Sequence, residues 1–231
     1  MNEPLDSKEC LINFCHEIES CQLLPEDIDL LNKNRVEVKY LKGENICKQG
    51  SFANQLIYIK KGLSKLYLEE DSKVQILCIN SAHSILGIQS LTAPHGIFHY
   101  TVSALEEVQA CLFDMEVIRE IAQRNAGFAY SLLSKVNQDY VLTYKRFISL
   151  SVKQLHGRMA DLLLCLADQV YQSKHFTLNL SRRDLAELTA MTHESVTRIL
   201  KDFKDQQMIK LEGKSIKIVN REKLIRVSKQ E

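Results

Sequence analysis

The stretch from Ser181 to Lys204 reads SRRDLAELTAMTHESVTRILKDFK, and its pattern predicts two short helices joined by a tight break. Ser181 and Asp184 have the [ST]-x-x-[DE] spacing of a capping box, which starts the first helix. Thr192 can cap a second helix, because its hydroxyl can accept a hydrogen bond from a free backbone N–H. The break between the two helices is therefore expected near residues 189–191.

The second helix of this pair has two chemically different faces. Apolar side chains recur at i, i+3, i+4 and i+7, which predicts one buried stripe made of Val196, Ile199, Leu200 and Phe203. The opposite face carries groups that can hydrogen-bond to base edges, namely His193, Glu194, Thr197 and Arg198. Such a helix suits a DNA major groove. Any amphipathic helix pair has a polar outer face, however, so the rest of the chain must decide.

Charge is unevenly distributed along the 231 residues. Residues 151–231 contain 15 Lys and Arg against 10 Asp and Glu, whereas residues 1–150 contain 15 against 19. A basic C-terminal third on an acidic body indicates an anionic partner for that third.

Other classes of protein are disfavoured by what the sequence lacks. It has no apolar run long enough for a membrane span and no signal pattern at its N-terminus, which predicts a cytoplasmic protein. The seven cysteines are then expected as reduced thiols, ligands or core residues. A cupin-like enzyme would need a carboxylate near His95 and His99, and none follows at useful spacing. With no nucleophile–base set or phosphate loop either, the chain is not expected to be an enzyme.

The first half of the chain changes its hydrophobic period twice. Residues 1–34 are expected to be helical, with one helix starting at Pro25. Residues 35–113 contain short runs rich in Val, Ile, Leu and Tyr, separated by turn signals, which predict an all-β sandwich or barrel. From Met115 to about Leu150 one helix of over 30 residues is predicted, although Asn125 interrupts its apolar stripe. A helix that long needs a second surface, which another copy of the chain would supply.

The C-terminal part of the chain adds a helix before the helix pair and a hairpin after it. A helix from Lys153 to about Tyr171 precedes the strand HFTLNL and the helix pair. After the pair, MIKLEGKSIKIVN predicts a hairpin that turns at residues 212–214, with Lys210, Lys214 and Lys217 suited to phosphate contact. Helix, helix pair and hairpin together predict a winged helix-turn-helix domain.

With this order of elements the chain resembles the catabolite-activator/fumarate-nitrate-regulator (Crp/Fnr) family of bacterial transcription regulators, from about Val36 to Val219. Three segments carry the resemblance: YLKGENICKQG with NQLIYIKKGLSKLY, residues 155–160, and LSRRDLAELTAMTHESVTRILKDFKDQQMIK. The resemblance implies an α+β chain. It implies an N-terminal cyclic-nucleotide-binding-type β-roll (jelly roll) with its helices in 1–113, a long dimerisation helix and hinge in 114–150, and a C-terminal winged helix-turn-helix in 151–231.

The resemblance also implies a function and its partners. A homodimer would place two reading helices in successive major grooves of a palindromic operator, about 34 Å apart, under the control of an effector or redox signal at the roll. Its partners would be double-stranded DNA, a second copy, RNA polymerase and an unidentified small-molecule effector, with no membrane. The implied DNA contacts fall on Arg182, Thr192, His193, Glu194, Thr197, Arg198, Lys201 and Lys214. Of these, His193 departs from the activator branch, where Arg is common.

The cyclic-nucleotide branch of the family carries a Gly-Glu pair and, later, an Arg followed by Ser or Thr that holds the phosphate. Here Ile88 replaces the Glu, and Phe98 and His99 replace the Arg and the hydroxyl residue. A buried phosphate would lack its counter-charge, so cAMP is not expected. The substitutions favour an apolar effector pocket, with candidates Gly87, Ile88, Phe98, His99 and Thr143.

Several alternatives stay open at this point, and the cofactor is unknown. The oxygen-sensing branch holds an iron–sulfur cluster on cysteines, for which Cys10, Cys15, Cys21 and Cys111 are the candidates, although their N-terminal spacing is wider than in that branch. A haem could take His83, His95, His99 or Cys111. The regulator could instead be independent of any effector. A ligand-binding adaptor without a DNA role is the alternative from another functional class.

Overall fold

The computed structural model describes residue 14 and residues 23–71, 73–92 and 96–230. It divides into two compact units, the first made of the described parts of Met1–Leu66 and Asn80–Val141, the second of Tyr67–Ile79 and Leu142–Glu231. Within the described residues, no helix combines the length and the apolar character that crossing a membrane requires.

Within the described residues, the predicted all-β region is confirmed as eight strands in two four-stranded sheets. One sheet has the strand order β1-β8-β3-β6, with antiparallel pairing throughout, and the other has the order β2-β7-β4-β5. The strands are β1 (Arg35–Tyr40), β2 (Asn45–Cys47), β3 (Gln55–Lys61), β4 (Ser64–Glu70), β5 (Lys73–Asn80), β6 (Ile85–Leu86), β7 (Thr101–Ala104) and β8 (Val108–Asp114). β3 and β8 supply much of the core because their apolar side chains are buried in nearly unbroken runs.

Three of the turns predicted between the strand runs of residues 35–113 fall at glycines, and their backbone conformation confirms them. Gly43, Gly50 and Gly62 all have positive φ values, which side chains with a Cβ adopt only under strain. Gly62 is constrained further, since a Cβ at this position would lie 2.3 Å from the carbonyl oxygen of Glu107. A residue larger than glycine would push this turn away from the chain beside it.

The prediction of a single helix from Met115 to about Leu150 is wrong. The segment forms α2 (Met115–Arg124) and the longer α3 (Ala126–Val152), following the shorter α1 (Pro25–Lys33) earlier in the chain. Asn125 adopts an extended conformation between them, and its Oδ1 accepts a 3.0 Å hydrogen bond from the backbone nitrogen of Phe128.

The break at Asn125 is held by a buried carboxylate on α1. Asp27 is 1% exposed, and it accepts hydrogen bonds of 2.6 Å from Arg124 Nη2 and 3.4 Å from Asn125 Nδ2. This ion pair spans 97 residues of sequence, so the helical period of the segment gives no sign of it. α1 begins at Pro25 as predicted, whereas the other helical expectations for residues 1–34 fall largely outside the described residues.

The second unit contains the predicted winged helix-turn-helix. Its elements are α4 (Leu155–Cys165), β9 (His175–Thr177), α5 (Arg182–Thr189), α6 (His193–Asp205), β10 (Ile209–Glu212), β11 (Ser215–Ile218) and α7 (Arg221–Gln230). The helix predicted to reach about Tyr171 stops being α-helical at Cys165 and continues as a π-helical turn over Leu166–Val170. The strands form a sheet of order β10-β11-β9.

α7 is an element that the sequence analysis did not anticipate. Arg221 begins it and makes a two-pronged ion pair with Asp168, at 2.7 and 2.8 Å. Asp161 on α4 accepts a 2.5 Å hydrogen bond from Ser228 Oγ near the other end of α7, and a 2.6 Å bond from Ser149 Oγ. Contacts at both ends therefore hold this helix against α4 and the turn that follows it.

Candidate nucleic-acid interface

The two helices of the predicted reader begin where their caps require. Ser181 Oγ accepts a 3.1 Å hydrogen bond from the backbone nitrogen of Asp184, and Asp184 Oδ2 accepts a 2.8 Å bond from that of Ser181. Thr192 Oγ1 accepts a 3.2 Å bond from the backbone nitrogen of Ser195. Between the helices, Ala190 has a φ of +49°, which makes the sharp turn. The predicted capping box and second cap are both confirmed.

The orientation of α6 is set by its buried stripe. Val196, Ile199, Leu200 and Phe203 are each at most 1% exposed, as the apolar period predicts. The predicted contact residues at i, i+1, i+4, i+5 and i+8 are all exposed, and by the helical period they share the opposite face: His193, Glu194, Thr197, Arg198 and Lys201. Burial on one side therefore presents this polar row to solvent as a unit.

Glu194 has an electrostatic environment of its own at the start of α6. Hydrogen bonds from its own backbone N–H and from the Thr192 hydroxyl lower the pKa of its carboxyl, so it stays an ionised acceptor. Among the described residues it forms no ion pair with Arg198, one turn further on. Arg198 is thus exposed with its guanidinium available for another partner.

Thr197 uses its hydroxyl within the helix. Its Oγ1 donates a 3.0 Å hydrogen bond to the carbonyl oxygen of His193, one turn earlier. Because the hydroxyl proton is used in this bond, the γ-methyl is the group of this side chain that remains for contact with a partner. A threonine methyl is suited to apolar contact with the 5-methyl of thymine.

The remaining predicted DNA contacts differ in accessibility. Lys214 is exposed at the tip of the hairpin, where Gly213 has a φ of +59° and makes the predicted turn. Arg182 at the start of α5 is only half-exposed, and burial lowers the pKa of its guanidinium. Its neighbour Arg183 forms a 2.8 Å ion pair with Glu187. Lys214 is therefore better placed than Arg182 for contact with a phosphate.

The outer face of the hairpin sheet carries a row of basic groups across three strands. Lys210 on β10 lies opposite Lys217 on β11, and Lys217 lies opposite His175 on β9. All three side chains are exposed. Like charges directly opposite each other are destabilising, so this row favours a nearby anion. The sequence pattern indicated the two lysines but not His175, because only the strand pairing brings it beside Lys217.

The candidate effector residues differ in exposure. Ile88 and Phe98 are each 5% exposed and belong to the hydrophobic core, whereas His99 is exposed. Thr143 belongs to the other compact unit. Gly87 has a φ of +91°, and a Cβ on it would lie 3.3 Å from the ring of Phe98.

The backbone N–H of Gly87 is bound by the side chain of a tyrosine that the sequence analysis did not identify. The backbone nitrogen of Gly87 donates a 2.9 Å hydrogen bond to the hydroxyl of Tyr100, which in turn donates to Gln89 Oε1 at 3.2 Å. Arg119, the first arginine after this segment, donates through Nε to the carbonyl oxygen of Leu91 and also pairs with Glu116. The Gly87 nitrogen and the Arg119 guanidinium are thus both engaged by groups of the protein itself.

The cysteine and histidine candidates for binding a redox cofactor lie in different environments. Cys10, Cys15, Cys21 and His95 lie outside the described residues. Cys111 is fully buried and disulfide-bonded, which departs from the expectation of reduced thiols, whereas Cys47, Cys78 and Cys165 are not in disulfide bonds. His83 Nδ1 lies 2.6 Å from the hydroxyl of Tyr58. Within the part of the chain that the structure describes, no cluster of three or more His, Cys, Asp or Glu could hold a metal ion.

Comparisons with known proteins agree with this architecture. A family profile described as a Crp-like helix-turn-helix domain matches residues 157–227, and one for the cyclic nucleotide-binding domain matches residues 37–125. Electron transport regulator A of Shewanella oneidensis is 25% identical over 189 residues, which are 79% of this chain and 74% of that protein. A CRP-like cAMP-activated global transcriptional regulator of Mycobacterium tuberculosis is 26% identical over 207 residues, 87% of this chain and 92% of that protein.

A solved structure shows the same fold at lower identity. FixK2 of Bradyrhizobium japonicum matches with a TM-score of 0.77 at 20% identity, over 84% of this chain and 96% of that one. The relatives are transcription regulators rather than enzymes, and the predicted order of β-roll, long helix and winged helix-turn-helix is confirmed. The chain therefore belongs to the Crp/Fnr family of DNA-binding transcription regulators, which join an effector-sensing β-roll to a helix-turn-helix reader.

Proposed function

We propose that this regulator acts as a cytoplasmic homodimer that reads a palindromic operator with one α6 helix from each copy. The observation that carries the proposal is the polar row on α6, turned outward by a buried stripe and by two satisfied helix caps. A two-fold symmetric protein reads a two-fold symmetric site, with half-sites one helical turn apart. Residues 1–113 would sense the signal, 114–150 would pair the copies, and 151–231 would bind DNA.

Within the reader, each exposed group has a role that matches its chemistry. Arg198 is proposed to bind the O6 and N7 acceptors of a guanine, and the ionised Glu194 to accept from a cytosine amine. His193 cannot make the forked contact of an arginine, so the base it faces should differ from that in activator-type sites. Thr192, Arg182, Lys201 and Lys214 are proposed to contact the DNA backbone, together with the basic row on the wing.

The signal at the β-roll is proposed to differ from a cyclic nucleotide. A relative in Mycobacterium tuberculosis is named as cAMP-activated, but here Tyr100 takes the Gly87 donor, and Phe98 stands where the arginine of the cyclic-nucleotide branch would be. Iron–sulfur and haem sensing stay predictions, and an anaerobic ultraviolet–visible spectrum of the purified protein would reveal either cofactor. RNA polymerase is included as the partner through which bound protein would alter transcription.

The proposal is tested by titrating the purified full chain into fluorescently labelled duplex fragments of genomic DNA. The affinity is measured at increasing salt concentrations. A protein that neutralises about 6–10 phosphates should lose roughly 10³–10⁵ in affinity between about 50 and 200 mM salt. A chain that binds no DNA in a salt-dependent manner would instead be an adaptor without a DNA role, and the proposal would be wrong.

A further inference from the structure

One row of side chains on α3 is exposed along the length of the helix. The row advances by alternating steps of three and four residues, through Tyr130, Leu133, Asn137, Tyr140, Tyr144 and Phe147. Its five apolar or aromatic members are between 52% and 69% exposed. Large hydrophobic side chains clustered in this way mark an interaction surface rather than scattered surface residues.

The spacing of the row identifies the kind of partner that would cover it. A hydrophobic repeat that averages 3.5 residues is the pattern of a two-stranded coiled coil, in which positions a and d of each heptad face the other helix. The order of the steps places Tyr130, Asn137 and Tyr144 at a, and the other three members at d. Val141 and Ile148, at the adjoining e positions, are 46% and 52% exposed and widen the same surface. A second copy of α3 matches this repeat along its length.

Asn137 is the exception in the row, because its side chain offers an amide where the neighbours offer apolar surface. It is exposed, and it lies between Leu133 and Tyr140 at the centre of the row. A lone asparagine at an a position lowers the stability of a coiled coil, but it specifies the register and the number of strands. If this surface is buried in a dimer, the amide of Asn137 therefore requires a hydrogen-bonding group on the other helix.

We infer that Asn137 pairs with Asn137 of the partner subunit, and that this pair selects a parallel, in-register dimer. In a parallel coiled coil each a residue faces the same residue of the other helix, so the two amides can hydrogen-bond to each other. In an antiparallel or shifted pairing each amide would face an apolar side chain and be buried without a partner. The inference rests on the proposed homodimer, and it identifies the residue that fixes the alignment of that dimer.

A matched pair of variants tests the placement of Asn137. Asn137→Asp sets two carboxylates against each other in the seam, whereas Gln138→Glu adds the same charge at an exposed b position, on the outer side of the helix. Sedimentation velocity of the full chain over a concentration series should show a dimer dissociation constant at least about tenfold higher for Asn137→Asp, with Gln138→Glu within about twofold of wild type. Far-ultraviolet circular dichroism checks that both variants are folded.

Asn137→Leu tests the part of the inference that concerns specificity. It should associate more tightly than wild type and form species larger than a dimer, because an apolar a residue no longer selects register or strand number. Equal dissociation constants for Asn137→Asp and Gln138→Glu would overturn the inference while the proposed dimer stands. The inference would also be overturned if Asn137→Leu formed dimers and no larger species, with the wild-type dimer dissociation constant. A wild-type chain that stays monomeric would instead refute the proposed homodimer itself.

Discussion

The hydroxyl of Tyr100 accepts a 2.9 Å hydrogen bond from the backbone nitrogen of Gly87. Gly87 begins the segment in which the cyclic-nucleotide branch of the family holds a phosphate, and here a side chain of the protein itself satisfies the donor. Because Ile88 and Phe98 are buried in the core beside it, the segment has the interior of a packed roll rather than of an anion site.

This arrangement predicts that neither cAMP nor cGMP binds the wild-type protein. Isothermal titration calorimetry of the full chain with either nucleotide should give no saturable heat. Tyr100→Phe should lower the free energy of unfolding in urea by about 1–3 kcal/mol, since it removes one hydrogen bond and leaves the buried Gly87 nitrogen unsatisfied. Saturable micromolar binding of either nucleotide to wild type would contradict this account of the roll.

A second prediction concerns two glycines of the roll with nearly the same backbone conformation. Gly43 and Gly62 have φ values of +89° and +96°, but a Cβ on Gly43 meets nothing within 4 Å, whereas one on Gly62 clashes with the Glu107 carbonyl oxygen. Gly43→Ala should therefore cost about 1 kcal/mol of backbone strain, and Gly62→Ala roughly 2 kcal/mol or more beyond that. Thermal unfolding of both variants measures the difference, and equal stabilities would show that the turn after β3 can move.

The third prediction separates base reading from phosphate contact on α6. Arg198→Ala should weaken operator binding by about 1–3 kcal/mol and relax specificity at one base pair of each half-site. Lys201→Ala, one turn nearer the end of the same face, should weaken all sequences alike and reduce the salt slope by about one. Binding titrations against a panel of single-base variants test both changes. A uniform loss for Arg198→Ala would mean that its guanidinium contacts only phosphate.

Thr197 leads to a fourth prediction, because its hydroxyl is bonded to the His193 carbonyl oxygen and its methyl is left for the groove. Replacing one thymine of each half-site by deoxyuridine should weaken wild-type binding by about 0.8 kcal/mol per buried methyl. Thr197→Val should keep this preference and Thr197→Ser should lose it. The opposite outcome, with the preference kept by serine and lost by valine, would show that the Thr197 methyl is not the group that contacts the thymine methyl.

The DNA reader could be predicted from sequence because its signals are local. The Ser181 box, the Thr192 cap and the stripe from Val196 to Phe203 each involve residues within about two helical turns of one another. The hairpin follows from the glycine at its turn, Gly213. Local signals of this kind are complete in the sequence, so the positions of α5, α6, β10 and β11 were close to those expected.

The features that sequence reasoning missed depend on contacts between distant residues. Asn125 interrupts the apolar stripe of residues 115–150, but the stripe resumes beyond it, and the contact with the buried carboxylate of Asp27 accounts for the break of the helix there. The Tyr100 contact with Gly87 and the position of His175 beside Lys217 likewise depend on how strands pair and turn. In each case the sequence contains the partner residue but does not indicate that it lies close in the fold.

The central claim is that two copies of α6 read one two-fold symmetric site, and selection of bound duplexes from a random library tests it most directly. The enriched sequences should form an inverted repeat with half-site centres about one helical turn apart, roughly 34 Å. Arg198→Ala should enrich the same repeat with one base pair of each half-site no longer specified. Enrichment of a single, unrepeated half-site, or of no sequence at all, would contradict the account.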